Sequence, residues 1–97
     1  MSRAQVQWCD GRVRVSGSLD FDSVPGLVDI PWGESAPPRI EVELGAVRRV
    51  DSAGLALLLE WARAARRQGR AIHFRHTPEQ LKSLARVTGV DAILSLD

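Results

Sequence analysis

An α/β fold is predicted for this 97-residue chain: one small mixed β-sheet with an opening antiparallel hairpin and flanking helices. Three observations predict it. Two alternating segments meet at Asp10-Gly11. Further on, alternating runs give way twice to apolar residues at helical spacing. No repeat or composition shift divides the chain, so residues 1–97 are expected to form one domain.

The opening runs are Val6-Gln7-Trp8-Cys9 and Arg12-Val13-Arg14-Val15-Ser16. Asp10-Gly11 between them suits a two-residue hairpin turn, because Gly accepts positive φ. Val6, Trp8, Val13 and Val15 share the face expected to be buried. Gly17-Ser18-Leu19-Asp20 then breaks the alternation. From Asp22 to Ile30 a short helix is expected. Asp22 or Ser23 serves as its cap, Pro25 lies in its first turn, and Leu27, Val28 and Ile30 form its apolar side. Pro31 ends it, and Gly33-Glu34-Ser35-Ala36-Pro37-Pro38 reads as a loop.

Arg39-Ile40-Glu41-Val42-Glu43-Leu44 alternates cleanly, with Ile40, Val42 and Leu44 inward. From Ser52 to Gln68 the period becomes helical, with Leu55, Leu58, Leu59, Ala62 and Ala65 on one side. Gly69 is the expected left-handed stop. Arg63, Arg66 and Arg67 lie where the helix dipole favours cations, and with Arg70 they read as a solvated face. Ala71-Ile72-His73-Phe74-Arg75 is another strand. Thr77-Pro78-Glu79-Gln80 then predicts a helix start, with Thr77 as cap. Leu81, Leu84, Ala85 and Thr88 form that helix's inner face, and Gly89 closes it. Ala92 to Leu96 completes the chain as a short strand or extended tail. The predicted order is β-β-α-β-α-β-α-β. Strand–helix–strand alternation implies parallel neighbours. Alternating rather than wholly apolar strands imply one sheet face under helices and one facing water.

Composition excludes several functions. The chain is 44% hydrophobic and 26% charged, with a formal net charge of +1. That balance supplies no field for nucleic acid or an anionic membrane. No apolar run approaches the roughly 20 residues that span a bilayer. The start lacks a signal-peptide core, so a cytoplasmic location is expected. The single cysteine, Cys9, fits that compartment and reads as a half-buried strand residue. No motif calls for a metal or a cofactor: His73 and His76 are three apart on a strand, with no partner pattern to complete a site.

Asp51-Ser52-Ala53-Gly54 is the candidate site. It lies between an extended run and an apolar helix, so the Ser52 hydroxyl is expected at an exposed helix start. There either it or Asp51 can cap the helix, and the hydroxyl can carry a phosphate or dock against a partner. Catalysis is excluded on chemical grounds, because no base is placed beside Ser52 and the nucleophile-elbow pattern is incomplete. Leu57 and Trp61, four residues apart, widen the helix's apolar arc beyond one sheet contact. Either the last predicted helix, which starts at Thr77, covers them or they are a partner surface.

These residues carry a resemblance. Val15-Ser16-Gly17-Ser18-Leu19-Asp20 and Val50-Asp51-Ser52-Ala53-Gly54-Leu55 resemble the STAS domain family, the second through its Asp-Ser/Thr-x-Gly-Leu signature. The resemblance covers nearly the whole chain and implies a STAS-like fold. The longer run from Arg49 to Leu59, with Ala65-Arg66-Arg67-Gln68-Gly69 and Leu81 to Arg86, resembles one branch: the small cytoplasmic STAS subunits of Mla phospholipid ABC transporters. Glu43-Leu44 departs from the Asp-Leu of many relatives. The branch implies a non-catalytic accessory subunit, peripheral at the inner face of the cytoplasmic membrane. Its implied partner is the ATPase subunit and, through it, the permease and lipid-binding subunits. The implied contact is Ser52 with Asp51, Ala53 and Gly54, extended by Leu57 and Trp61. The other branch considered is the anti-sigma-factor antagonists, which implies Ser52 as a phosphosite.

Overall fold

The computed structural model describes residues 4–97. Four strands form one sheet: β1 (Gln5–Cys9), β2 (Arg12–Leu19), β3 (Arg39–Val50) and β4 (Ala71–Arg75), in the order β1-β2-β3-β4. β1 and β2 are antiparallel; β2–β3 and β3–β4 are parallel. Two α-helices follow β3 and β4: α1 (Ser52–Arg67) and α2 (Glu79–Thr88). The expected mixed sheet with an opening hairpin is therefore present.

The hairpin turn forms for the expected reason. Cys9 pairs with Arg12, so only Asp10 and Gly11 lie between the strands. Both have positive φ, 51° and 81°. That combination matches the right-handed twist of the flanking strands. Gly69 and Gly89 close the two helices at φ 69° and 78°, in the left-handed conformation that suits glycine.

The core lies between one sheet face and the helices. Val13, Val15, Ile40, Val42, Leu44 and Phe74 come from the strands; Leu55, Leu58, Trp61, Ala65, Leu81 and Ala85 come from the helices. The opposite sheet face carries Arg12, Arg14, Glu41, Glu43 and Arg75, none fully buried. Glu41 bridges two strands there, 3.2 Å from Arg12 and 3.5 Å from Arg75. This asymmetry is what the alternating strands predict.

Four local expectations need correction. The segment after β2 forms only a 3-10 turn, Val24–Leu27, and Val28 beyond it is exposed. Pro25 starts that turn, while Gly26 and Pro31 deny it further α-helical propagation. The loop is instead tied to α1's end: Trp32 Nε1 donates to Gln68 Oε1 at 2.9 Å. The Arg70 guanidinium donates to the carbonyls of Glu34 at 2.7 Å and Pro37 at 3.0 Å, and also to that of Ala36. Next, β3 does not stop at Leu44. Its pairing with β2 shifts register and continues to Val50, with Val47 and Val50 buried after the shift. A bulge changes the period, which strict alternation cannot register. Third, Thr77 makes no cap bond; Pro78 holds the cap position of α2. Finally, Ala92–Leu96 contributes one bridge, Phe74 to Leu96, rather than a strand.

Candidate functional site

The C-terminal ends of β2 and β3 and the start of α1 meet at one corner. Asp51 organises it. Its backbone is extended, and its side chain accepts from Ala53 N at 2.8 Å, capping the helix. Its other carboxylate oxygen accepts from Phe21 N at 3.3 Å, and its own N–H donates to Leu19 O at 3.1 Å. One aspartate thus joins the helix start to the loop leaving β2. Of the two candidate caps, Asp51 takes the role and Ser52 is left free. Ser52 is exposed at the first helical position, and its hydroxyl makes no hydrogen bond among the described residues.

Gly54 explains the spacing of the motif. A Cβ there would lie 2.5 Å from Val50 Cγ2, 2.9 Å from Leu19 Cβ and 3.0 Å from Leu19 O. The first turn of α1 therefore presses directly on the end of β2. Only a residue without a side chain allows this approach, and the approach holds Ser52 level with the β2 loop.

That loop is also built by short polar bonds. Asp20 Oδ1 accepts from the N–H groups of Asp22 and Ser23, each at 3.0 Å. Ser23 Oγ accepts from Asp20 N at 3.0 Å and donates to Ser18 O at 2.7 Å. The turn so fixed leaves Phe21 69% exposed, with its backbone N–H on Asp51. Sequence reasoning missed Phe21. The signal was an aromatic residue between two acids, Asp20 and Asp22, immediately after a strand.

The structure keeps Asp51, Ser52, Ala53 and Gly54 together, but removes Leu57 and Trp61 from the surface. Leu57 is 2% exposed and Trp61 is fully buried. Of the two readings of the wide apolar arc, coverage within the domain is correct and the partner surface is not. The expected cover, the last helix, supplies part of it. α1 packs against α2, and also against the 3-10 turn that replaces a first helix. Val28, Asp29 and Ile30 lie across a shallow depression from Glu60, Ala64, Arg67 and Gln68 of α1. The Trp61 indole N–H is buried with no acceptor among the described residues.

Other candidates fall elsewhere. Cys9 is exposed rather than half-buried. His73 Nε2 lies 3.8 Å from Asp97 on the outer sheet face, and His76 Nδ1 lies 2.8 Å from Glu43 Oε2. Partial burial pushes the Glu43 carboxyl up. The bonds from His76 and Gly45 N–H, with the charges of His76 and Arg12, outweigh it and hold the carboxyl below its ordinary value. Arg63 pairs with Glu60 at 2.8 Å, and Arg70 is spent on the loop carbonyls. These groups surround no common cavity with Ser52. The corner offers a hydroxyl, an aromatic ring and a rigid backbone, which suit contact with another protein.

Comparison with known proteins agrees with this geometry. The family model described as "Mlab, STAS domain" matches residues 4–95. A sulfate transporter family protein from Wolinella succinogenes superposes with a TM-score of 0.69 at 17% identity, covering 95% of this chain and 80% of that one. The anti-sigma factor antagonist SpoIIAA, in its unphosphorylated form, gives 0.68 at 14% identity, covering 97% and 87%. An anti-sigma factor antagonist from Mycobacterium paratuberculosis gives 0.63 at 21%, covering 99% and 85%. No curated protein matches the chain. The structural likenesses establish a shared fold, and with the match over residues 4–95 the chain belongs to the STAS domain family.

Proposed function

We propose that this protein is a non-catalytic accessory subunit of a phospholipid-transport ABC complex of the Mla type, and that it binds the ATPase subunit through the corner at Ser52. The observation that carries the proposal is the match to the MlaB-type family model over nearly the whole chain. The exposed helix start supports it. Ser52 and Phe21 are both exposed, and Asp51 joins their backbones through its bonds to Ala53 N and Phe21 N. Leu57 and Trp61 act from the core, by keeping α1 in place. Binding works as scaffolding: a subunit that prefers the assembled ATPase stabilises that state by mass action. The permease and lipid-binding subunits are reached through the ATPase. The protein itself stays peripheral at the inner face of the cytoplasmic membrane; among the described residues no helix is long and apolar enough to cross one.

Affinity purification from native cells in mild detergent tests the proposal. An ABC ATPase with its permease is the expected co-purifying pair. Ser52→Arg replaces a small hydroxyl with a long charged side chain in the contact and should weaken it by about 2–5 kcal/mol if the contact is desolvated. Normal ATPase binding by a folded Ser52→Arg protein would refute the placement.

A second reading, an anti-sigma-factor antagonist switched by phosphorylation of Ser52, is favoured by one observation: the hydroxyl is exposed and unbonded at a helix N-terminus. Against it, Asp51 caps that helix and Asp20 and Asp22 lie in the adjoining loop, so a phosphate would meet like charge. Recovery of a serine kinase in place of the ATPase, with phosphate on Ser52, would select this reading.

A further inference from the structure

The sheet has two edges, and the chain's tail covers one of them. Beside β4, Phe74 N donates to Ser95 O at 2.9 Å and Asp97 N donates to Phe74 O at 2.8 Å, around the Phe74–Leu96 bridge. At the other edge β1 pairs with β2 alone, and no described strand lies on its far side. Open edges are ordinarily guarded by a charge, a proline or a bulge. β1 has none of these: Gln5-Val6-Gln7-Trp8-Cys9 is uncharged, lacks proline, and matches β2 residue for residue. β2, β3 and β4 each carry at least one arginine.

The hairpin decides which groups this edge offers. Cys9 and Arg12 flank a two-residue turn, so they form a pair that exchanges both backbone hydrogen bonds. Alternation then gives Gln7–Arg14 and Gln5–Ser16 the same character, and turns the N–H and C=O groups of Val6 and Trp8 away from β2. Among the described residues these outward groups find no backbone partner in a turn, loop or cap. The Val6 and Trp8 side chains are half-buried against the core, while Gln5, Gln7 and Cys9 are exposed on the opposite face.

The pattern selects the occupant. Polar, apolar, polar, apolar, polar reads the same in both directions about Gln7, so a second copy of β1 fits antiparallel about a two-fold axis at Gln7. In that register Val6 faces Trp8 of the second copy, and each such pair exchanges both N–H···O=C bonds from groups already turned outward. A β-branched side chain then meets an aromatic one on the same sheet face, which is a favourable cross-strand pair. Gln7 meets Gln7 of the second copy, so no like charges oppose each other within the pairing. A slip of one residue would set Val6 opposite Gln7, whose backbone groups already bond to β2. We infer that two copies of this chain join β1 to β1, making one continuous sheet with four strands from each. An edge about 17 Å long buries less than the roughly 1,200 Å² of a permanent interface, so the association is weak and depends on concentration. It uses no residue of the Ser52 corner, and neither proposal depends on the other.

The test is an amide-resolved NMR dilution series of the full chain, kept reduced, from about 1 mM to about 20 μM, joined to disulfide trapping. Shifts with concentration should centre on Val6, Gln7 and Trp8, and the Val6 and Trp8 amides should exchange with solvent more slowly at the high end. Gln7→Cys in a Cys9→Ser background should give a disulfide-linked dimer on mild oxidation, because facing residues of a non-hydrogen-bonded pair lie about 4.5 Å apart at Cα. The parent should not: Cys9 faces Gln5 of the second copy, which leaves the two Cys9 residues about 14 Å apart along the strands. Val87→Cys in the same background, at a position 86% exposed on α2, should not either. Gln7→Lys adds the missing edge charge and sets like charges across the axis, so it should remove the concentration dependence with Tm in dilute solution unchanged. No concentration dependence up to about 1 mM, trapping of the parent or of Val87→Cys as fast as Gln7→Cys, or association that survives Gln7→Lys would overturn the pairing. A strand of a different protein as the occupant of this edge would show as the first of these.

Discussion

Gly54→Ala tests the argument that binds the motif to the fold. Gly54 lies in the first turn of a helix at an ordinary helical φ, so alanine suits its backbone. Propensity alone would make the substitution stabilising by about 1 kcal/mol. The surroundings oppose this. The new methyl would meet Val50 Cγ2 at 2.5 Å, Leu19 Cβ at 2.9 Å and Leu19 O at 3.0 Å. Val50 can change rotamer. Leu19 Cβ and its carbonyl can retreat only if β2 or α1 moves, and Leu19 O already accepts from Asp51 N. Overpacking of this kind costs about 1–3 kcal/mol, and unyielding neighbours put it at the upper end. After the propensity gain, a net loss of about 2 kcal/mol remains. For a domain this size that lowers Tm by roughly 8–16 °C. Thermal and urea unfolding followed by circular dichroism would measure it, with the urea m-value unchanged. A Tm within about 2 °C of the parent, or above it, would refute the claim that α1 rests on β2 through Gly54.

Other outcomes follow from the same contacts. Asp51→Ala removes both the cap and the tie to Phe21 N, and should cost about 1–2 kcal/mol in chemical denaturation; Asp51→Asn keeps an acceptor oxygen and should cost far less. Trp61→Phe removes a buried N–H that has no acceptor along with some volume, so it should be nearly neutral, while Trp61→Ala should cost about 3–5 kcal/mol. Phe21→Ser should leave Tm unchanged, because the ring is mostly exposed, and under the proposed function it should reduce recovery of an ATPase on the tagged protein. His76→Ala should move the Glu43 carboxyl up, as read by NMR titration. Because Glu43 is held below its reference value of 4.5, its contribution to stability is present above that pH and is lost as pH falls through the lowered folded-state value. The stability difference between parent and His76→Ala should therefore shrink on acidification.

Much of the candidate site was legible because its causes are local. A turn needing positive φ at two positions chooses Asp10-Gly11, and a helix start needing an acceptor narrows the cap to Asp51 or Ser52. Ser52, Ala53 and Gly54 are then placed by one turn of helix. Phe21 was not legible, because its position against Asp51 depends on a hydrogen bond across thirty residues of chain. Leu57 and Trp61 were misplaced for a related reason. Helical spacing shows that an apolar arc is wide, but not what lies on it. α1 packs against α2 and also against the segment with Pro25, Gly26 and Pro31, which packs by loop contacts rather than by any period.

By itself the sequence determined the α/β class, the hairpin, the two helices with their glycine stops, and the helix start that carries Ser52. Each follows from the backbone preferences of neighbouring residues and from periodicity. Only the tertiary structure decided how far β3 runs, what buries Trp61, and which edge of the sheet is left open. Those depend on register, loop packing and the pairing of residues distant in the chain, none of which leaves a local pattern.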